Sequence, residues 1–193
     1  MKVFLSYSNY DKALAAQVKA ELVDRYGLEV FLAHEDIQPS SEWQQTILEE
    51  LEASEVFLPV LTASFGESEW TDQETGVALG LHKLIVPLKV SADPRGFVGR
   101  LQALRLDPNA VPTGCRTLAE LIASRPDLAA AFRDGLIVTF GKSWSFDDAG
   151  DNARLLLDFG GYTRQQVEEI MRHTLNNPQI KYSRSARTPC WVG

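Results

Sequence analysis

The sequence predicts an α/β protein: a flavodoxin-like, five-stranded parallel sheet with helices on both faces, followed by a mostly helical C-terminal appendage. Three observations lead there. Up to about residue 107, short apolar runs alternate with segments of helical periodicity, the βαβ pattern that demands a parallel sheet. Several of those runs are almost continuously apolar, as strands covered on both faces are. After Asp107-Pro108 the strand-like runs give way to longer helical segments. The expected boundaries are 1–107 for the α/β domain and 108–193 for the extension.

Val3-Phe4-Leu5 reads as the first strand. Leu14, Ala15, Val18, Leu22 and Val23 then recur at helical spacing. Ser8 is placed to cap that helix, with Asp11 near its positive end, and Gly27 closes it. Leu28 to Leu32 forms the second strand. A polar loop from Ala33 to Ser40 follows, and Ser41 with Gln44 makes a capping-box pattern opening a helix to about Ala53. That helix buries Trp43, Ile47, Leu48 and Leu51. Val56 to Leu61 is the third strand, in which Pro59 removes one ladder donor and implies irregular pairing. A helix over Ser68–Leu81 leads to a fourth strand, Leu84 to Leu88, and a weaker fifth lies around Leu104-Arg105-Leu106.

In the extension, residues 108–116 read as a connection and Leu118 to Phe132 as a helix broken by Pro126. Leu136 to Phe140 reads as a strand or buried turn. Asp151 to Phe159 is helical and ends at Gly160-Gly161. Thr163 with Gln166 is a capping box opening a helix to about Leu175.

Composition narrows the function classes. Hydrophobic residues are 45% of the 193, enough for a real core. Nineteen Lys and Arg against 26 Asp and Glu give a net charge of −7, which repels a phosphate backbone and argues against a dedicated nucleic-acid binder. Lys181, Arg184 and Arg187 give the C-terminus a modest basic character, read as a solvated tail. Cys115 and Cys190 are far apart and in no metal-like spacing, the usage of a reducing compartment. No apolar stretch is long enough for a signal peptide or a membrane span, so a cytoplasmic protein is expected. Asp147, Asp148 and Asp151 read as a solvated loop before a helix rather than a metal site; no metal is expected.

A sheet of this order receives ligands outside the carboxyl ends of its strands, at the switch point between the first and third. The loops meeting there are Ser6 to Asp11 and Thr62 to Glu74, with His34 to Pro39 able to fold over them. There is no phosphate loop carrying a lysine and no GxGxxG, which argues against a kinase, an ATPase and a Rossmann dehydrogenase. The edge offers hydroxyls, aromatic rings and a carboxylate instead. That set suits a sugar or nucleotide held by stacking and hydrogen bonds, and a carboxylate facing a ribose can stabilise an oxocarbenium-like centre. Glu74 has a purely structural alternative as well, because Thr71 and Glu74 fit a capping box. Ser8 can act as a helix cap, and Trp70 as an ordinary packing aromatic.

The residues at this edge carry a family resemblance. Phe4-Leu5-Ser6-Tyr7 resembles the first box of TIR (Toll/interleukin-1 receptor) domains. Asp36-Ile37-Gln38-Pro39 resembles their BB loop. Ser68-Glu69-Trp70-Thr71-Asp72-Gln73-Glu74 resembles the Ser-x-Trp-x-x-x-Glu stretch of enzymatic members, and Phe97 to Leu106 resembles the region before the fifth strand. The resemblance covers about residues 1–107 and is to the stand-alone, NAD-cleaving bacterial type, such as that of anti-phage Thoeris-like systems.

It implies that Glu74 is the catalytic residue for cleaving NAD⁺ to nicotinamide and ADP-ribose or a cyclic isomer. By the same token Ser6, Tyr7, Ser8, Asp36 and Trp70 contact the substrate. NAD⁺ is then a substrate, and no cofactor is required. The resemblance also implies self-association through the loop around Asp36–Ser40, a signalling role in antiviral defence, and a downstream effector that senses the product. Two departures touch the loop: Glu35 stands where the family has a basic residue, and Ser40 where it has glycine. The rival implications are a non-catalytic TIR-type interaction module that uses Glu74 only as a cap, and a nucleoside deoxyribosyltransferase-like enzyme, which lacks its second carboxylate here.

Overall fold

Phe4, Phe31 and Phe57 lie side by side across three adjacent parallel strands, and this ladder organises the first half of the chain. The computed structural model describes residues 1–32 and 43–183. Strand β1 (Lys2–Ser6) pairs in parallel with β2 (Glu29–Leu32) and with β3 (Val56–Leu61). The register sets Phe4 opposite both Phe31 and Phe57. In-register residues of neighbouring strands share a face, so the three rings meet at centroid distances of 5.3 and 5.7 Å from Phe4. Helices α2 (Trp43–Ala53) and α3 (Glu69–Gly80) close over that face with Ile47, Leu51 and Ala78. Val3, Leu5, Val56 and Leu58 alternate with the ladder and are equally buried, so the sheet is covered on both faces. Helix α1 (Lys12–Tyr26) buries Ala15, Val18 and Leu22 at helical spacing.

The expected fourth strand is two short ones. β4 (Leu84–Ile85) pairs with Val56 and Phe57 of β3, and β5 (Leu88–Lys89) pairs with Val60 and Leu61. The ladder lapses at the level of Pro59 and Pro87, which have no N–H to donate. β6 (Leu104–Arg105) pairs with β5 and is the edge strand expected near residue 104. The order is β2-β1-β3-β5-β6, with β4 also on β3, so the sheet is the flavodoxin-like one. Its switch point lies between β1 and β3.

The chain divides into two units: Met1–Val23 with Leu28–Leu118, and Asp24–Gly27 with the chain from Ala119 on. Among the described residues, the regular elements of the second are all helices. Helix α4 (Val111–Ala123) begins inside the stretch read as a connection. Helix α5 (Ala129–Gly141) contains Leu136–Phe140, which is therefore neither strand nor turn. An apolar run of that length fits a strand and a buried helix equally. Here it is a helix because Phe132, Leu136, Ile137 and Phe140 are all buried at helical spacing. Gly135 lets the chain approach closely: a Cβ there would stand 2.9 Å from the carbonyl oxygens of Tyr26 and Gly27. Gly27 itself has φ +65°, the left-handed terminator expected after α1.

Helix α6 (Phe146–Phe159) starts earlier than expected, because Ser145 accepts a capping hydrogen bond from the Asp148 N–H. Its acidic cluster is spent locally: Asp148 accepts from the Trp144 N–H, and Asp151 pairs with Arg154. Helix α7 (Arg164–Asn176) opens on the Thr163–Gln166 capping box as the sequence predicts. The short helix α8 (Pro178–Tyr182) is capped by Asn177. Tyr26, Phe132 and Phe159 form an aromatic trio in this unit, with centroids 5.0 to 6.3 Å apart. No helix among the described residues is long and apolar enough to cross a membrane.

Candidate active site at the switch point

Ser6 is the last residue of β1 and sits opposite Pro59 of β3, at the carboxyl edge on the switch point. Its hydroxyl donates to Glu74 Oε2 at 2.5 Å. Glu74 comes from the second turn of α3 and is only 2% exposed. Its other oxygen, Oε1, has no hydrogen-bond partner among the described residues. A buried carboxyl with one oxygen unsatisfied resists ionisation. Burial pushes its pKa from 4.5 up to about 7, with the Ser6 hydrogen bond pulling the other way. Glu74 thus changes charge near neutrality, as acid–base and charge-stabilising groups in enzymes do.

Trp70 precedes Glu74 by one helical turn and shares its face of α3. The two residues, with Gln73, line a cavity of about 160 Å³ whose opposite wall is α2, from Gln44 through Leu48 to Leu51. Trp43, at the start of α2, packs edge-on against Trp70 with ring centroids 4.1 Å apart and planes at 70°. The same Trp43 packs on the Phe4–Phe31–Phe57 core.

The start of α3 is fixed by a network that the sequence does not advertise. Asp11 Oδ2 accepts from Thr62 Oγ1 at 2.6 Å and from Ser64 Oγ at 2.8 Å, tying the loop after β1 to the loop after β3. The Phe65 N–H donates to Thr62 Oγ1. The Thr71 hydroxyl is shared between the carbonyls of Phe65 and Ser68, at 2.6 and 2.8 Å. Thr71 therefore lies inside the helix, whose N-cap is Ser68, and Glu74 bonds to Ser6. The capping-box reading of Thr71 and Glu74 is thus corrected. Ser8 precedes a 3-10 turn over Asn9–Asp11 without a side-chain cap bond; the Asp11 N–H donates to the Ser8 carbonyl instead, at 2.7 Å.

Of the residues singled out in the sequence, Ser6, Trp70 and Glu74 come together. Tyr7 is fully buried and Ser8 nearly so, and neither lines the cavity. Asp36 and the rest of the loop 33–42, including Ser41 of the expected capping box, lie outside the described residues, as do Arg184, Arg187 and Cys190. Trp43 was legible only as core; its contact with Trp70 is a tertiary fact without a local signal. Gln44 and Gln73 carry no sequence pattern that marks them as cavity wall. Among the described residues, no three His, Cys, Asp or Glu are grouped so as to hold a metal.

A larger cleft of about 490 Å³ borders the other side of α3, between Asp72, Thr75 and the segment from Asp93 to Phe97. Its charged groups satisfy one another at the surface: Arg95 reaches the Gly66 carbonyl and Asp72, and Asp93 pairs with Lys89. The buried carboxyl lies in the smaller cavity.

Comparison with known proteins agrees with this architecture. Residues 3–119 match the model of the TIR domain family. The fold is similar to a solved TIR domain, that of the Toll-related receptor TRR-2 from Hydra magnipapillata. The TM-score is 0.53 at 19% identity, over 61% of this chain and 94% of that one. No curated protein matches. With the sheet order, the edge loops and the family match all in accord, the chain belongs to the TIR domain family.

Proposed function

We propose that this protein is an NAD⁺ glycohydrolase or cyclase in which Glu74 is the catalytic residue. The observation that carries the reading is a buried carboxyl at the β1/β3 switch point, held by Ser6, with a free oxygen and a tryptophan one turn away. In its ionised form Glu74 would accept from the ribose hydroxyls and stabilise the positive charge that grows as the bond from C1′ to the nicotinamide nitrogen breaks. The bonding pair leaves with that nitrogen, and nicotinamide departs neutral, so no general acid is needed. Water then attacks C1′ and loses its proton, giving ADP-ribose; attack by another group of the same nucleotide gives a cyclic isomer. A bound pyridinium would pull the Glu74 pKa down and favour the ionised form.

NAD⁺ is a substrate in this scheme, and no cofactor takes part. Self-association through the loop around Asp36–Ser40, a cytoplasmic site of action, an antiviral signalling role and an effector that senses the product belong to the same proposal. An interaction module without catalysis is the rival, in which the Ser6–Glu74 hydrogen bond serves only to hold α3 to the end of β1. The test is to incubate concentrated protein with NAD⁺ and separate the products by chromatography. Nicotinamide with linear or cyclic ADP-ribose is expected from the wild type and not from a folded Glu74→Ala variant. Equal nicotinamide from both would remove Glu74 from the chemistry.

A further inference from the structure

Small-molecule sites typically enclose about 300–1,000 Å³. The cavity at Glu74 encloses about 160 Å³, and Glu74 is 2% exposed. A dinucleotide does not fit beside this carboxyl as it stands. One wall of the cavity must therefore move before any substrate of that size arrives. Two of the walls are fixed. Glu74 is tied to Ser6 at the end of a central strand, and Leu51 belongs to the packed core. Trp70 is different. It is half-buried, at the first turn of its helix, and its ring is held by a ring from another helix.

We infer that Trp43 is the gatekeeper of the Glu74 cavity: its edge-on contact keeps Trp70 in the cavity wall, and substrate reaches Glu74 only when the two rings part. The inference deepens the proposed function, on which it rests for the identity of the substrate. Trp43 is packed on the core and is the first residue of α2, so a shift of the start of that helix moves the ring with it. The open state then governs the rate. An aromatic pair of this geometry is worth about threefold to tenfold in an opening equilibrium beyond the area it buries.

The test reads the cavity directly and does not need turnover. Wild type and Trp43→Ala, both shown folded by circular dichroism, are treated with a water-soluble carbodiimide and an amine. The rate of coupling at Glu74 is followed by peptide mass spectrometry. Coupling about threefold to tenfold faster in Trp43→Ala is expected, with Trp43→Phe close to the wild type because a ring is retained. Trp43→Leu, which keeps apolar volume without a ring, replaces Trp43→Ala should the latter fail to fold, and is expected to couple faster too. Coupling at the wild-type rate in a folded variant without the ring would overturn the gate. NAD⁺ cleavage is measured on the same samples. Faster coupling with faster cleavage supports gate and substrate together, whereas faster coupling without cleavage in any sample keeps the gate and removes the NAD⁺ reading.

Discussion

Replacing Glu74 by glutamine removes the titration and keeps an oxygen that can accept from Ser6, so the variant isolates the energetic effect of the buried charge. The folded pKa of Glu74 is about 7 against 4.5 for an unburied carboxyl. Between those values the folded protein holds a proton that the unfolded chain has released, so stability falls as pH rises through the window. Below pH 4.5 both states are protonated and the group contributes nothing. Above pH 7 both are ionised, and the burial penalty is fully expressed. A displacement from 4.5 to about 7, at 1.36 kcal/mol per unit, makes that penalty about 3 kcal/mol.

Glu74→Gln is therefore expected to match the wild type at pH 4 and to exceed it by about 3 kcal/mol at pH 8.5. For a chain of this length that is roughly 6–12 °C in melting temperature. The assay is denaturant unfolding of both proteins at half-unit intervals from pH 4 to 9, with the difference plotted against pH. A difference that stays flat, or that grows toward low pH, would refute the reasoning and with it the idea of a strained carboxyl at the switch point. Stabilisation by removal of a charge would itself mark Glu74 as a residue kept for function rather than for folding.

Three further outcomes follow from the same geometry. In Ser6→Ala the hydrogen bond that lowers the Glu74 pKa is gone, so the midpoint of nicotinamide release against pH is expected to move up by about one unit or more; an unchanged midpoint would deny Ser6 its part. Asp11→Ala leaves the Thr62 and Ser64 hydroxyls without their acceptor and is expected to lower stability by about 1–3 kcal/mol in denaturant unfolding, with Asp11→Asn milder because its carbonyl still accepts; equal loss in the two would mean that the charge rather than the hydrogen bonds matters. Phe132→Ala empties the centre of the aromatic trio in the helical unit and is expected to lower stability by about 3–5 kcal/mol, while a loss below about 1 kcal/mol would place that unit's core elsewhere.

The legible parts of the chain are those where local chemistry and tertiary demand agree. Val56 to Leu61 is buried at every position, and a strand covered on both faces has no other way to be written. Thr163 and Gln166 make the capping box that their letters spell, because both partners lie within one turn. The misread segment, Leu136 to Phe140, lies on a helix whose exposed position there is the apolar Val138; the signal that separates helix from strand is a polar face, and these five letters show little of one.

The site is a harder case. Thr71 and Glu74 carry the letters of a cap, yet Thr71 serves the Phe65 and Ser68 carbonyls and Glu74 serves Ser6, 68 residues away. Asp11 could be read as a helix-end charge, but its acceptors are filled by hydroxyls from the loop after β3. Each of these roles depends on which strands are neighbours. The sheet order had to be known before the residues could be paired.

In the proposed reaction Glu74 stabilises the positive charge formed when NAD⁺ loses nicotinamide. Nicotinamide release by equal concentrations of folded wild type and Glu74→Gln, followed from pH 5.5 to 8.5, tests it most directly. Release by the wild type is expected to rise with pH as Glu74 ionises and to level off above its folded pKa, with no release by the variant at any pH. Release by Glu74→Gln at the wild-type rate, or none by the wild type even at high protein concentration, would contradict it.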